Sequence, residues 1–158
     1  MTLKVGDRAP QFTLPDQDNS EHSPSDYIGR WLLMWFYPKD NTTGCTAEGC
    51  GLRDNWVEFQ NYNVAILGIS VDSVKSHQKF LNTYAFPFWL LADENKEVVK
   101  KYGVWQKKKL WGREYMGTVR TSFLIDPKGK IAKIYEKVNP LNHAQEILED
   151  LKQLQGAQ

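Results

Sequence analysis

Cysteine is scarce in this chain, with two residues in 158, at positions 45 and 50. So few exclude a disulfide-stapled secreted scaffold, and in a reducing compartment a close pair is expected to be reactive. Long apolar runs are also missing. The longest, Trp31 to Tyr37, falls well short of the ~18 consecutive apolar residues of a membrane span. Nor is there an excess of charge of either sign. Twenty basic and 19 acidic side chains give a formal charge of +1, which leaves no whole-molecule field to attract nucleic acid or an acidic membrane surface. The one dense cluster of like charge, Lys107-Lys108-Lys109, reads as a solvated loop. Met1 to Pro10 carries Lys4, Asp7 and Arg8 and no apolar stretch. No targeting segment is therefore expected, and the expected location is cytoplasmic.

No repeat, low-complexity segment or linker divides the sequence, so residues 1–158 are expected to form a single domain with a full hydrophobic core. Trp31 to Tyr37 is uniformly apolar and stopped by Pro38, which suits a strand buried on both faces of a helix-covered sheet. Val64 to Ile69, Phe88 to Leu91 and Ser122 to Ile125 are further strands of this kind. Helical stripes lie between and after them: Leu52, Trp56 and Phe59; Val74, His77, Leu81 and Tyr84; Val98, Val99 and Tyr102; and Ala144, Ile147, Leu148, Leu151 and Leu154. The turn Asp126-Pro127-Lys128-Gly129 leads into Ile131 to Val138, which alternates like a hairpin arm. Alternating strands and helices imply parallel crossovers, and the late hairpin adds antiparallel pairing. The expected fold class is α/β: a thioredoxin-like three-layer fold with a mixed central sheet flanked by helices.

The chemistry concentrates between Phe36 and Cys50. A buried strand ends at Tyr37, a polar loop follows, and a helix begins near Thr43 with Thr42 or Thr43 as its cap, placing Cys45 in the first turn. There the unpaired N–H groups and the positive end of the helix dipole favour the thiolate form. Cys50 lies five residues on. In an intact helix that spacing separates the two by ~7.5 Å along the axis and roughly 140° around it. Their Cα atoms are then ~8.6 Å apart, beyond the ~7 Å reach of a disulfide. The two can bond only if the start of the helix unwinds. Gly44, Gly49 and Gly51 bracket the pair, and each weakens the helix by about 1 kcal/mol relative to alanine; they read as easing that unwinding.

Pro38-x-x-x-Thr42-x-x-Cys45 resembles the active-site signature of the peroxiredoxins, and Tyr37-Pro38-Lys39, Gly44-Cys45-Thr46 and Cys50 resemble the bacterioferritin comigratory protein (PrxQ) branch. Gly6 to Phe12 is similar to that branch's opening and Gly117 to Asp126 to the strand bearing its arginine, so the likeness spans nearly the whole chain. It implies a thiol-dependent peroxidase for hydrogen peroxide and organic hydroperoxides. Cys45 is implied to be the peroxidatic cysteine and Cys50 the resolving one. By the same resemblance Pro38 is expected to shield the site and shape its loop, Thr42 to hydrogen-bond thiolate and peroxide, and Arg120 to orient the thiolate and stabilise charge as the O–O bond breaks. A thioredoxin-like reductant, a monomeric state and the absence of any metal or organic cofactor are implied as well. The chain departs from the branch at Thr43, where proline is frequent, and at Gly49, where a larger residue is usual; both read as easing local unfolding.

Competing chemistries fit less well. Disulfide reductases of the thioredoxin type use Cys-x-x-Cys, whereas four residues intervene here. The cysteines and His22, His77 and His143 make no compact metal-ligand spacing. A holdase or redox-sensing role on the same fold shares the same thiolate and stays open. His77 reads as packed on an apolar helix face, His22 and His143 as surface or turn residues, and Glu48 as a solvated helix-face carboxylate. Trp105, Trp111 and Tyr115 read either as core or as the lining of an apolar approach.

Overall fold

The structure, a computed structural model, describes residues 2–156. In chain order the elements begin with β1 (Leu14–Pro15), β2 (Glu21–His22), β3 (Trp31–Phe36), α1 (Thr43–Asp54), α2 (Trp56–Asn61) and β4 (Val64–Ser70). They continue with α3 (Val74–Tyr84), β5 (Trp89–Ala92), α4 (Glu97–Lys101), β6 (Trp105–Leu110), β7 (Arg113–Thr118), β8 (Thr121–Ile125), β9 (Ile131–Tyr135) and α5 (His143–Gly156). The central sheet runs β5-β4-β3-β8-β9. β3 pairs in parallel with β4 and β4 with β5, while β8 is antiparallel to both β3 and β9. This is the mixed, helix-flanked α/β sheet that the strand–helix alternation predicts.

The uniform apolarity of β3 has a direct cause. Its side chains alternate between two cores, because both faces of the sheet are covered. Trp31, Leu33 and Trp35 join Leu52 of α1, Phe59 of α2, Phe80 of α3 and Ile147, Leu148 and Leu151 of α5. Leu32, Met34 and Phe36 join Phe12, Val98 and Val99 of α4, and Tyr102. Gly68 sits opposite Trp35 in the β3–β4 register, and a Cβ there would lie 2.9 Å from the indole. Glycine leaves that ring its place in the core.

Two local features differ from the sequence reading. Leu52, Trp56 and Phe59 lie on two helices, not one. The chain leaves helical geometry at Asn55, whose side-chain amide donates to the Gly51 carbonyl at 2.8 Å. The lysine run lies not in a loop but in β6, which pairs with β7 as an antiparallel ribbon outside the central sheet. Trp111 (φ 57°) and Gly112 (φ 78°) close it, the two positive φ values that a tight hairpin turn requires. Trp111 is 92% exposed and Tyr115 44%, so neither is a core residue; Trp105, half-buried, packs against the second core. No described helix is long and apolar enough to cross a membrane.

Candidate active site

The loop from Tyr37 to Thr42 carries the chain from the end of β3 to α1. Thr42 is the residue before the helix (φ −84°, ψ 158°), which places Cys45 in the first turn, as the sequence predicts. Its hydroxyl, however, caps nothing. Oγ1 donates to the Lys39 carbonyl at 2.9 Å, so its one proton is engaged by the loop. Asn41, at φ 64°, turns the loop. Pro38 is half-buried at its start.

The loop is pinned from beneath by Asp40. This buried carboxylate accepts from Tyr37 Oη at 2.6 Å and Ser76 Oγ at 2.8 Å, and lies 2.7 Å from His77 Nδ1. The Asp40 amide donates to Asp72 Oδ2, which also accepts from Ser70 Oγ at the end of β4. His77 Nε2 donates to the Leu91 carbonyl at 2.8 Å. Burial and the Asp40 charge keep the Tyr37 phenol well above its ordinary pKa, so it remains a donor. His77 is packed, as the sequence reading has it. His22 is not a surface residue: it is buried between Asp16 and Tyr27, 2.7 Å from each.

Cys45 is fully buried and Cys50 half-buried, and both are free thiols. Arg120, between β7 and β8, reaches across to α1. Its Nη1 lies 3.5 Å from Cys45 Sγ and donates to Glu48 Oε1 at 2.8 Å. The approach depends on Gly44, where a Cβ would stand 2.8 Å from Arg120 Nη2. Gly49 serves packing too, since a Cβ there would lie 2.6 Å from the Phe86 ring. Only Gly51 stands clear, its nearest neighbour being the Ala144 Cβ at 3.9 Å. Two of the three glycines thus answer to close approach in the folded state.

Glu48 is 1% exposed, which corrects its reading as a solvated carboxylate. Burial pushes its carboxyl up to about 7, against the hydrogen bond and charge of Arg120. Oε2 has no hydrogen-bond partner among the described residues and faces His143 Nε2 at 3.9 Å. His143, 1% exposed, is likewise no surface residue. Its Nε2 is 2.8 Å from Ser122 Oγ and its Nδ1 3.2 Å from Glu146. Burial lowers its pKa, Glu146 opposes this, and Arg120 lowers it further. A carboxylate only accepts, so in the neutral ring that burial favours Nδ1 donates to Glu146 and Nε2 accepts from Ser122. Glu48 had a sequence signal, sitting one turn beyond Cys45 on the same helix face. His143 had none, because only the packing of α5 brings it there. For Cys50, burial raises the pKa, Arg53 offsets part of the rise and Asp54 adds to it, so it rests as a thiol.

A thioredoxin-like fold that buries one cysteine in the first turn of a helix, sets a guanidinium against its sulfur and carries a second cysteine on that helix defines a thiol-dependent redox enzyme. Residues 5–134 match the AhpC/TSA family, and the chain belongs to that family as a peroxiredoxin of the Bcp/PrxQ kind, a thiol peroxidase. It is 44% identical over 148 residues to a putative peroxiredoxin Bcp of Coxiella burnetii, covering 94% of this chain and 98% of the relative. It is 42% identical over 151 residues to peroxiredoxin Bcp of Escherichia coli, covering 96% and 97%. A solved cysteine-to-serine variant of PrxQ from Xylella fastidiosa matches it with a TM-score of 0.93 at 32% identity, covering 98% of this chain and 99% of that one. The bacterioferritin comigratory protein of Xanthomonas campestris, a structure described for alkyl peroxide reduction, matches at 0.86 and 33% identity, covering 90% and 91%.

Proposed function

We propose that this peroxiredoxin is an atypical two-cysteine enzyme, a single domain over residues 1–158, in which Cys45 attacks hydrogen peroxide or an organic hydroperoxide and Cys50 resolves the product. The 3.5 Å approach of Arg120 to Cys45 Sγ carries this reading. The thiolate sulfur attacks the distal peroxide oxygen, the O–O bond breaks, and the leaving oxygen takes a proton to give water or an alcohol. Cys45 becomes a sulfenic acid. Arg120 and the first amides of α1 stabilise charge on sulfur and on the leaving oxygen. Pro38 shapes and shields the mouth, and the Thr42 hydroxyl turns from Lys39 toward the peroxide.

α1 then unwinds. The Cys50 sulfur attacks the sulfenic sulfur and releases water, forming the disulfide. A thioredoxin-like dithiol reduces it by exchange and leaves as a disulfide. No metal or organic cofactor enters these steps, and we assign the activity to a monomer in the cytoplasm. One equivalent of hydrogen peroxide added to the reduced protein is expected to remove two hydrogens and link Cys45 to Cys50, read by intact mass and peptide mapping. Cys45→Ser is expected to abolish turnover; Cys50→Ser is expected to stop at the sulfenic acid. Full turnover by Cys45→Ser would overturn the assignment, and an unlinked Cys50 after oxidation would remove its resolving role.

A further inference from the structure

The β6–β7 ribbon presents three consecutive lysines, and they do not behave alike. Lys107 and Lys109 are exposed, and Lys107 pairs with Glu114 across the ribbon at 3.3 Å in open solvent. Lys108 points to the other face and is half-buried. Its stem crosses Gly117, where a Cβ would lie 3.0 Å from Lys108 Cδ. Its Nζ donates to the Thr118 carbonyl at 3.1 Å. Two residues beyond Thr118 stands Arg120, whose guanidinium meets Cys45 Sγ. The missing side chain at Gly117 thus lets a lysine lie flat along β7 and brings its ammonium to the Thr118 carbonyl at the base of the ribbon, two residues before Arg120.

The charges there respond to one another. Burial and the Arg120 charge lower the pKa of Lys108, while Cys45 raises it. An ammonium has three donors. The Thr118 carbonyl takes one, and the others have no protein acceptor among the described residues. Arg120 contacts Cys45 and pairs with the buried Glu48, and His143 lies behind Glu48.

We propose that Lys108 is a second cationic residue of the peroxidase site, supplying positive charge to the Cys45 thiolate and to the oxygen that leaves as the peroxide bond breaks. The proposal rests on Cys45 being the attacking thiolate. It deepens that reading by adding a second cation: Arg120 comes from the link between β7 and β8, Lys108 from β6 of the ribbon. Lys108 acts through its charge as a positioning residue, and the Thr118 carbonyl fixes where that charge sits.

The test is the second-order rate of reduced protein with hydrogen peroxide, followed by stopped-flow tryptophan fluorescence across pH at low and at high salt. Lys108→Met is expected to slow the reaction about three- to tenfold at low salt. The acid limb of its rate–pH profile should move to higher pH, and the difference from the native protein should shrink at high salt. Lys108→Gln keeps a hydrogen-bond donor on the side chain but no charge, and is expected to behave like Lys108→Met. Lys108→Arg is expected to hold the native rate within about twofold, and Lys107→Met to change nothing. A native rate and profile in Lys108→Gln would overturn the proposal, leaving the lysine as a stitch between strands. So would a Lys108→Arg variant as slow as Lys108→Met. Retained activity in Cys45→Ser would instead remove the reading beneath it, so the two failures are told apart.

Discussion

Two carboxylates flank Cys45, five residues before it and three after, and they are treated in opposite ways. Asp40 is saturated: a phenol, a hydroxyl and an imidazole converge on it, and its amide is tied to Asp72. These bonds fasten the loop to α3 and to the end of β4. Among the described residues Glu48 has one hydrogen-bond partner, Arg120, and one buried oxygen with none. A satisfied buried network holds its segment rigidly, whereas a half-satisfied one is a standing penalty on the folded arrangement. The loop carrying Pro38 and Thr42 is built to stay. The helix start carrying Cys45, Glu48 and Cys50 is built to leave, as the proposed resolving step requires.

The largest test of this contrast is to remove each carboxylate. Asp40→Ala strips the partner from buried donors on Tyr37, Ser76 and His77, and is expected to destabilise the protein by about 3–5 kcal/mol. That corresponds to roughly 10 °C in melting temperature for a chain of this size. Glu48→Gln removes a charge that burial already penalises, and is expected to change stability by no more than about 1 kcal/mol. Urea and thermal melts on both variants read the difference. Equal losses would dissolve the contrast.

A pH series sharpens it. Glu48 titrates at about 7 in the docked helix, and near its ordinary ~4.3 once α1 unwinds into water. The docked form binds the proton more tightly. Its advantage is therefore complete at low pH and is lost as pH rises from ~4.3 to about 7, shifting the docked–unwound balance by up to a few kcal/mol. Arg120 on one side, with His143 and Ser122 behind, are the polar groups facing the carboxylate. Hydrogen exchange over residues 43–54, corrected for the intrinsic pH dependence, is expected to speed up across that window. The measurement suits a Cys45→Ser, Cys50→Ser background, where no thiol chemistry intervenes. Adding Glu48→Gln is expected to flatten the profile; an unchanged slope would show that Glu48 does not control the helix.

Most of the frame can be read from the sequence because its cause is local. A continuous apolar run such as Trp31 to Tyr37 has few places to go other than the middle of a covered sheet. Cys45 at the helix start follows from a buried strand, a polar loop and the threonines before it. The burial of Glu48 and His143 escapes for a different reason: it is produced by α5 packing on α1, and although Glu48 lies one turn beyond Cys45, nothing local to His143 announces it. The β6–β7 ribbon escapes because three lysines in a row carry no alternation, so its register is set by the tight turn at Trp111-Gly112 and by pairing alone.

The smallest test separates the two uses of glycine along α1. At Gly51 an added methyl meets nothing closer than the Ala144 Cβ at 3.9 Å, so Gly51→Ala gains helix propensity of about 1 kcal/mol without a clash. Docked α1 is stabilised, and after peroxide the Cys45–Cys50 disulfide is expected to form about fivefold more slowly. At Gly49 the same methyl would lie 2.6 Å from the Phe86 ring, which is itself packed against Phe80 and Phe88. That ring has little room to yield, and overpacking of about 1–3 kcal/mol outweighs the propensity gained. Gly49→Ala is therefore expected to loosen the docked helix and speed the disulfide. Opposite signs, read by quenched mass spectrometry of the oxidised species, would show that packing against Phe86 holds the resolving segment in place until the sulfenic acid forms. Slower disulfide formation in both variants would mean that propensity alone sets the rate at which α1 unwinds.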